Sequence, residues 1–542
     1  MKISGAQAII KSLEAEKVNI IFGYPGAAIC PFYDVLPGSG IRHVLSRHEQ
    51  GAAHAASGYA RATGKVGVCM STSGPGATNL ITGIATAYMD SIPLIAITGQ
   101  VSTDLIGRDV FQEADITGAT SPFCKHSYLV KKAEELPRII KEAFHVASTG
   151  RPGPVVIDIP FDVQMKMIDF AYPETVDIKG YKPTYKGHVM QIRKAAEAVK
   201  KAKAPVICAG GGIISSDAAG ELLALAEKCN IPVTTTLMGI GAFPSKHELC
   251  LGMLGSHGSA AANHAIHNAD LLMLLGARVG DRAMSTTRDI AKKAKIIHID
   301  IDPAEIGKNI DVGIPIVGDV KLVLRDMLEN AEAGDTAAWA EKLKGIRDQH
   351  RSNINYEAGE GYINPRKVLH ELSRLAGEEA VFATDVGQNQ IWAANNLDIE
   401  KPRHFITSGG MGTMGYGLPS AVGAKVGLPE TRVVAVSGDG GFQMAMQELG
   451  TIKQEKLDIK IILFNNTRLG MVRELQKAKY CGRYCQVFLE NNPDFVKLVE
   501  AYGFEGRSIS DNSQVAEALE WLLSTKGTSL LECLVDPEEP TL

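Results

Sequence analysis

The chain has no long hydrophobic run, no excess of basic charge, no close-set cysteine framework and no GxGxxG signature in its middle third, and each absence narrows what it can be. Apolar stretches such as Leu271–Leu275 fall far short of the roughly 18 residues that cross a bilayer, so no membrane-spanning segment is expected. Met1 to Ile21 sets Lys2, Lys11, Glu14, Glu16 and Lys17 among apolar residues at helical spacing and lacks the apolar block of a signal peptide, so a cytoplasmic protein is expected. Lys and Arg number 56 against 61 Asp and Glu, a net charge of −5, which provides no field to gather nucleic-acid phosphates. The nine cysteines are odd in number and scattered, the pattern of reduced thiols. Only Cys481 and Cys485 lie close together, and without a nearby His they do not read as a metal site.

What the chain has is length and glycine. Its 542 residues exceed a single core, and at about 150 residues per domain they predict several. Fifty-five glycines, above the usual ~7%, point to many turns where backbone approaches a ligand closely. Segments 164–187 and 329–362 read as linkers. Between them, short aliphatic runs are each followed by a Gly-rich turn and a helical pattern: Val66–Met70, Leu94–Thr98, Val155–Ile159, Pro205–Ala209, Leu271–Leu275, Ile296–Ile299, Val433–Val436 and Ile461–Phe464. The expected fold is α/β, three doubly wound parallel-sheet domains at 1–165, 188–330 and 362–542. The first and last blocks echo each other, with Ser73-Gly74-Pro75-Gly76 and Ser437-Gly438-Asp439-Gly440 each between a strand and a helix. Duplication would explain the echo, and so would the general likeness of βαβ units.

The most specific pattern is Gly438-Asp439-Gly440, then 24 residues (441–464), then Asn465-Asn466. Both ends fall at the carboxyl edge of one predicted sheet, where ligands of such sheets bind. A carboxylate, an amide oxygen and a main-chain carbonyl suit Mg²⁺ shared with a diphosphate, and the glycines admit phosphate to a helix N-terminus. Asp-Gly and Asn-Asn are also ordinary turn dipeptides; their placement at two strand ends favours the ligand reading.

This spacing resembles the fingerprint of thiamine diphosphate (ThDP) enzymes. Further stretches resemble one branch, the acetolactate (acetohydroxyacid) synthase catalytic subunits: Phe22-Gly23-Tyr24-Pro25-Gly26, Arg47-His48-Glu49-Gln50-Gly51, Ser73 to Asn79, Phe111-Gln112-Glu113, Leu237-Met238-Gly239, Gly412 to Gly417 and Leu469-Gly470-Met471-Val472. The resemblance implies a pyrimidine-binding, a central and a diphosphate-binding domain, with ThDP held between the first domain of one subunit and the third of another. A homodimer is then the minimum, with tetramer formation open, and a separate regulatory small subunit is expected. The implied reaction is decarboxylation of pyruvate and carboligation to a second 2-oxoacid, pyruvate or 2-oxobutyrate, in branched-chain amino-acid biosynthesis. A fermentative synthase runs the same reaction.

Residue by residue, the resemblance implies Glu49, Gln112, Lys125 and Gly26 at the catalytic centre. Glu49, opening a helix of small residues over 50–62, would share a proton with the aminopyrimidine ring in a low-dielectric contact. Ser73, Pro75, Asn79, Gln388, Gly412, Met414, Gly438, Gly440, Gly441 and Met471 would contact ThDP, Met414 propping its bent form. Asp439, Asn466 and Arg468 would hold Mg²⁺. His48 and His126 read as scaffold. In the middle block, Gly211, Gly212, Leu237, His257, Gly276, Arg278, Asp300 and Asp319 are implied to bind FAD in a structural role; Arg278 suits a phosphate and an Asp a ribose or adenine.

Five positions depart from the family pattern: Ala27 for Gly, Asn389 for His, Gly280 for Asp, Ser256 for Met and Leu475 for Trp. Asn389 is expected to donate the same hydrogen bond as the His. Leu475 is expected to weaken a preference for 2-oxobutyrate. A pyruvate oxidase or decarboxylase would share the ThDP signature; the stretches around Gln112 and Met471 favour carboligation, and Glu49 argues against a glyoxylate carboligase. A dehydrogenase or a non-catalytic nucleotide-binding protein is opposed by the lack of a GxGxxG in the middle block.

Overall fold

The computed structural model describes residues 2–284 and 287–542. It contains three six-stranded sheets, all parallel, and each strand run read from the sequence lies in one of them. The first sheet is ordered Arg42–Leu45, Ile20–Gly23, Gly67–Ser71, Leu94–Gln100, Pro154–Pro160, His126–Leu129. The middle sheet runs Cys250–Met253, Val233–Thr235, Pro205–Ala209, Leu271–Leu275, Lys295–Asp300, Ile314–Val317. The third runs Phe405–Ile406, Val381–Thr384, Val433–Gly438, Ile459–Asn465, Ser529–Leu534, Glu505–Ile509. Helices cover both faces of such sheets, which is why their central strands are largely apolar and mostly buried.

With the strands of each domain numbered in chain order, the first and third sheets share one order, 2-1-3-4-6-5, and the middle sheet has another, 3-2-1-4-5-6. The echo between the outer blocks is therefore topological, and the middle order is that of dinucleotide-binding sheets. In such sheets ligands bind beyond the strand ends where the order reverses. Those points lie beside Gly23 and Ser71 in the first domain, Ala209 and Leu275 in the middle, and Thr384 and Gly438 in the third.

Both linkers carry more structure than their composition suggests. Met167–Asp169 pairs antiparallel with Lys2–Ser4, so the segment after the first domain is stitched to the start of the chain. Helix Ala337–Ser352 packs on the middle domain: Leu343 is fully buried, Trp339 Nε1 donates to the Pro205 carbonyl at 3.0 Å, and Arg347 donates to the Glu248 carbonyl at 2.6 Å. Its charged outer face hid the apolar stripe. Among the described residues no helix is long and apolar enough to cross a membrane.

The outer domains meet chiefly through one helix pair, Glu49–Thr63 against Gly417–Gly427, each following the second strand of its domain. Two glycines set the distance. A Cβ on Gly58 would run into the Ser420 carbonyl, and one on Gly423 into the Ala55 carbonyl. The small residues of the Glu49 helix thus serve a backbone-close contact, as their composition implies.

Candidate functional site

Asp439 opens the short helix Asp439–Gln443 directly after its strand. Its carboxylate is 2% exposed, accepts from Asn492 Nδ2 at 2.7 Å, and is pushed up by burial to about 6. It has no ion-pair partner among the described residues, so it is a buried carboxylate without a countercharge, the environment a cation fits. Asn466 donates through Nδ2 to Gln388 Oε1 at 2.8 Å, and its Oδ1 accepts, among the described residues, the Arg468 N–H at 3.1 Å. Gln388 is itself fixed by the Glu539 carbonyl and Glu474. The backbone of 438–441 needs its glycines: a Cβ on Gly440 would meet Leu469 at 3.1 Å and Met414 at 3.4 Å, and one on Gly441 would overlap the Asp385 carboxylate.

A cavity of about 70 Å³ is lined by Gln388, Met414, Gly438, Asp439, Gly440, Gly441, Asn466, Arg468 and Met471. Cofactor sites typically need several hundred Å³, so this is one wall of a site. Gly412, at φ 65° in the exposed part of the neighbouring loop, stands outside the lining.

The second wall belongs to the first domain. Asn79 Nδ2 donates to Glu49 Oε2 at 3.0 Å, and the other Glu49 oxygen lies beside Gly76. Gln112, at φ 60°, packs over the Ser73-Gly74-Pro75 turn, where a Cβ on Gly74 would come within 2.9 Å of it; Gly26 packs against Thr72 on the neighbouring strand end. The structure thus brings Glu49, Ser73, Pro75, Asn79, Gln112 and Gly26 to one edge, at the switch point of the first sheet. His48 caps the Glu49 helix, accepting from Gln50 N at 3.1 Å, and His126 stacks edge-on against Tyr128, scaffold roles for both.

Two expectations are corrected. Lys125 does not face this group: its Nζ donates to the carbonyls of Val146 and Thr149 and to the Tyr181 hydroxyl, tying down the end of helix Leu136–Ser148, and burial lowers it to about 8. Asn389 does not offer its amide hydrogens to a ligand; they are spent on the carbonyls of Asp385 and Val436. Leu475 lies on the solvent side of helix Gly470–Lys479, 46% exposed.

Gly211, Gly212, Leu237, His257, Gly276, Arg278, Asp300 and Asp319 all line one cavity of about 510 Å³ at the middle switch point. There the Gly210–Gly212 and Gly276 turns touch backbone to backbone; a Cβ on Gly212 would sit 2.6 Å from the Gly276 Cα. Arg278 has neither a hydrogen bond nor an ion pair among the described residues, although the charges of Asp90, Glu305 and Asp300 act on it. Asp300 is pushed up to about 6 by burial, and Asp319 binds Ser216 Oγ at 2.7 Å. Size, the Arg278 cation and strand order fit a phosphate-bearing dinucleotide.

Three buried acids beside these loops are not among the residues the sequence singles out. Asp385, fully buried and pushed up to about 6 by burial, accepts the N–H groups of Val386, Gly415 and Gly417 and so shapes the Met414 loop. It follows a strand at the switch point, as Asp439 does, and that signal was readable. Glu448 and Asp90 act across domains and have no local signature.

Family models match all three units: the thiamine pyrophosphate enzyme N-terminal TPP-binding domain at residues 3–119, its central domain at 192–327, and its C-terminal TPP-binding domain at 385–533. The chain is 49% identical to a probable acetolactate synthase large subunit of Methanocaldococcus jannaschii over 99% of this chain and 93% of the relative. The chain belongs to the acetolactate synthase large-subunit family of thiamine pyrophosphate enzymes. Similar relatives include acetolactate synthase large subunits of Corynebacterium glutamicum, 48% identical over 96% of this chain and 84% of the relative, and Haemophilus influenzae, 46% over 97% and 93%. The two TPP-binding domains of this thiamine pyrophosphate enzyme are the two that share a strand order.

Proposed function

We propose that this chain is the catalytic large subunit of an acetolactate synthase, decarboxylating pyruvate and joining the remaining two-carbon unit to a second 2-oxoacid. The observation that carries the reading is the pairing of two incomplete walls, one with the Glu49 carboxylate and one with the Asp439 cradle, within a chain similar end to end to such subunits. ThDP supplies the electron sink for this carbon–carbon chemistry. Glu49 would hold the proton at the aminopyrimidine ring, with Asn79 fixing its second oxygen. Asp439, Asn466 Oδ1 and the Arg468 carbonyl would hold Mg²⁺ against the diphosphate, while the 438–441 amides approach its oxygens. FAD is the proposed occupant of the middle cavity, in a structural role.

Each wall leaves large apolar groups open, Phe111 at 84% exposure on one and Met411, Met444 and Leu475 on the other, which supports completion of each site by a second copy. A separate small subunit is the expected regulatory partner. The open flank at Leu475 supports a weak preference for 2-oxobutyrate over pyruvate as acceptor; acceptor competition with Leu475→Trp should raise the 2-oxobutyrate product.

The test is a product assay with pyruvate, ThDP and Mg²⁺, with and without FAD. Acetolactate is expected, falling about a hundredfold or more in Glu49→Gln. Acetaldehyde or peroxide as the main product would overturn the synthase reading.

A further inference from the structure

Glu448 and Asp90 form a reciprocal pair. Both come from the connection between the third and fourth strands of their domains, and both side chains are buried. Glu448, in the third domain, reaches into the first: Oε1 accepts the N–H groups of Arg47 at 3.0 Å and His48 at 3.2 Å, the two residues before Glu49. Its Oε2 takes the Thr451 hydroxyl at 2.6 Å, and the same Thr451 oxygen lies 3.1 Å from the Leu45 carbonyl. Asp90, in the first domain, reaches into the third: its oxygens accept the N–H groups of Gly410 at 2.6 Å and Gly409 at 3.2 Å, which begin the loop to Gly417 carrying Met414. Thr86, one turn earlier, meets the Thr413 hydroxyl at 2.7 Å.

Each acid has the support such a role needs. Arg61 pairs with Asp90 at 2.5 Å and lies over the Tyr416 ring. The Arg47 guanidinium is anchored on the Gly450 carbonyl and Gln454. A Cβ on Gly51 would collide with Glu448, so the first turn of the Glu49 helix is glycine where the acid arrives. A carboxylate accepting two successive backbone N–H groups holds a chain segment in both position and direction, and charged acceptors make the stronger hydrogen bonds.

We infer that Glu448 and Asp90 are positioning residues, each set by one outer domain to hold the cofactor-facing loop of the other: Glu448 aims Glu49, and Asp90 with Thr86 aims Met414. Neither touches a reacting atom. The inference rests on the ThDP reading of those two loops. It also divides the labour: loss of the Glu448 latch should slow the proton step that Glu49 serves, and loss of the Asp90 latch should loosen the cofactor that Met414 props.

Two readouts on the full chain test this. ThDP–Mg²⁺ affinity is followed by quenching of Trp392, which lines the third-domain cavity. Deuterium exchange at the ThDP C2 position, by proton NMR at saturating cofactor, reports the proton step. Glu448→Gln is expected to slow exchange by about tenfold or more with affinity within about threefold. Thr86→Val and Asp90→Asn are expected to weaken ThDP by about tenfold with saturated exchange near normal, and Thr86→Ser, which keeps the hydroxyl, to bind as the parent. If Asp90→Asn fails to fold because Arg61 loses its partner, Thr86→Val tests the same loop. Unchanged readouts in Glu448→Gln and Thr86→Val, or an equal loss of both readouts in each with a lowered melting temperature, would overturn the latches. Absence of ThDP binding and exchange in the parent would instead overturn the thiamine reading.

Discussion

The first and third domains are the same construction with different fittings at the strand ends. They share strand order, the glycine-spaced helix after the second strand, and a buried acid reaching into the other domain. Even the last strand repeats a device: Asp158 accepts from Gln100 at 2.9 Å, and Glu532 from Asn465 at 2.8 Å, each holding the end of the fourth strand. The difference lies in where the functional carboxylate stands. The third domain puts Asp439 directly after its third strand, at the switch point, where it can meet a cation. The first domain has Ser73-Gly74-Pro75 there and carries its acid, Glu49, at the head of the helix after the second strand. One topology thus gives two different walls, to which the proposed function assigns diphosphate with metal on one side and proton chemistry on the other.

Substitutions should separate the two walls. The largest effect is expected for Asp439→Asn, which removes the carboxylate that, among the described residues, lines the third-domain cavity: ThDP–Mg²⁺ affinity should fall by about a hundredfold, read as Trp392 quenching, whereas Glu49→Gln should bind ThDP and turn over about a hundredfold or more slowly. Equal ThDP affinity in both variants would erase the distinction between the walls. Next come the shared features. Gly58→Ala and Gly423→Ala each force a methyl into a facing carbonyl and should cost about 1–3 kcal/mol, seen as lower melting temperatures of similar size. A much larger shift in one would show that the helix pair is not symmetric in energy.

The middle domain sharpens the contrast, because its strand order and cavity differ from both neighbours. Arg278→Gln should loosen flavin by about tenfold, read from bound flavin absorbance, and leave Glu49-dependent exchange in place. The smallest expected effect is a pH slope. Burial pushes Asp158 up to about 7 against 3.8 in an open chain, so the folded state retains a proton that the unfolded state releases. Stability from this group is present below about 4 and is lost as pH rises toward 7, and Asp158→Asn should flatten that part of the melting-temperature profile.

Much of this was legible. Aliphatic runs such as Leu271–Leu275 and Val433–Val436 are strands because parallel sheets covered on both faces need unbroken apolar segments, and the Gly-rich turns after them mark all three ligand edges. Helix Ala337–Ser352 was not legible as part of the middle domain, since only a narrow stripe including Trp339 and Leu343 is buried. Lys125 was misplaced because a lysine in a loop carries no sign of which carbonyls will capture it. Asn389 was misjudged for a similar reason, its amide being consumed by main chain brought from Val436.

The sequence by itself determined the three α/β units, the glycine turns and the placing of Asp439, Asn466 and Glu49 at strand ends and a helix head, because strand and turn propensities are local. Only the tertiary structure decided the strand orders, the close contact at Gly58 and Gly423, and the crossing of Glu448 to Arg47 and of Asp90 to Gly410. Those contacts join residues more than 300 positions apart, through backbone N–H groups that every non-proline residue carries, so no pattern along the chain could announce them.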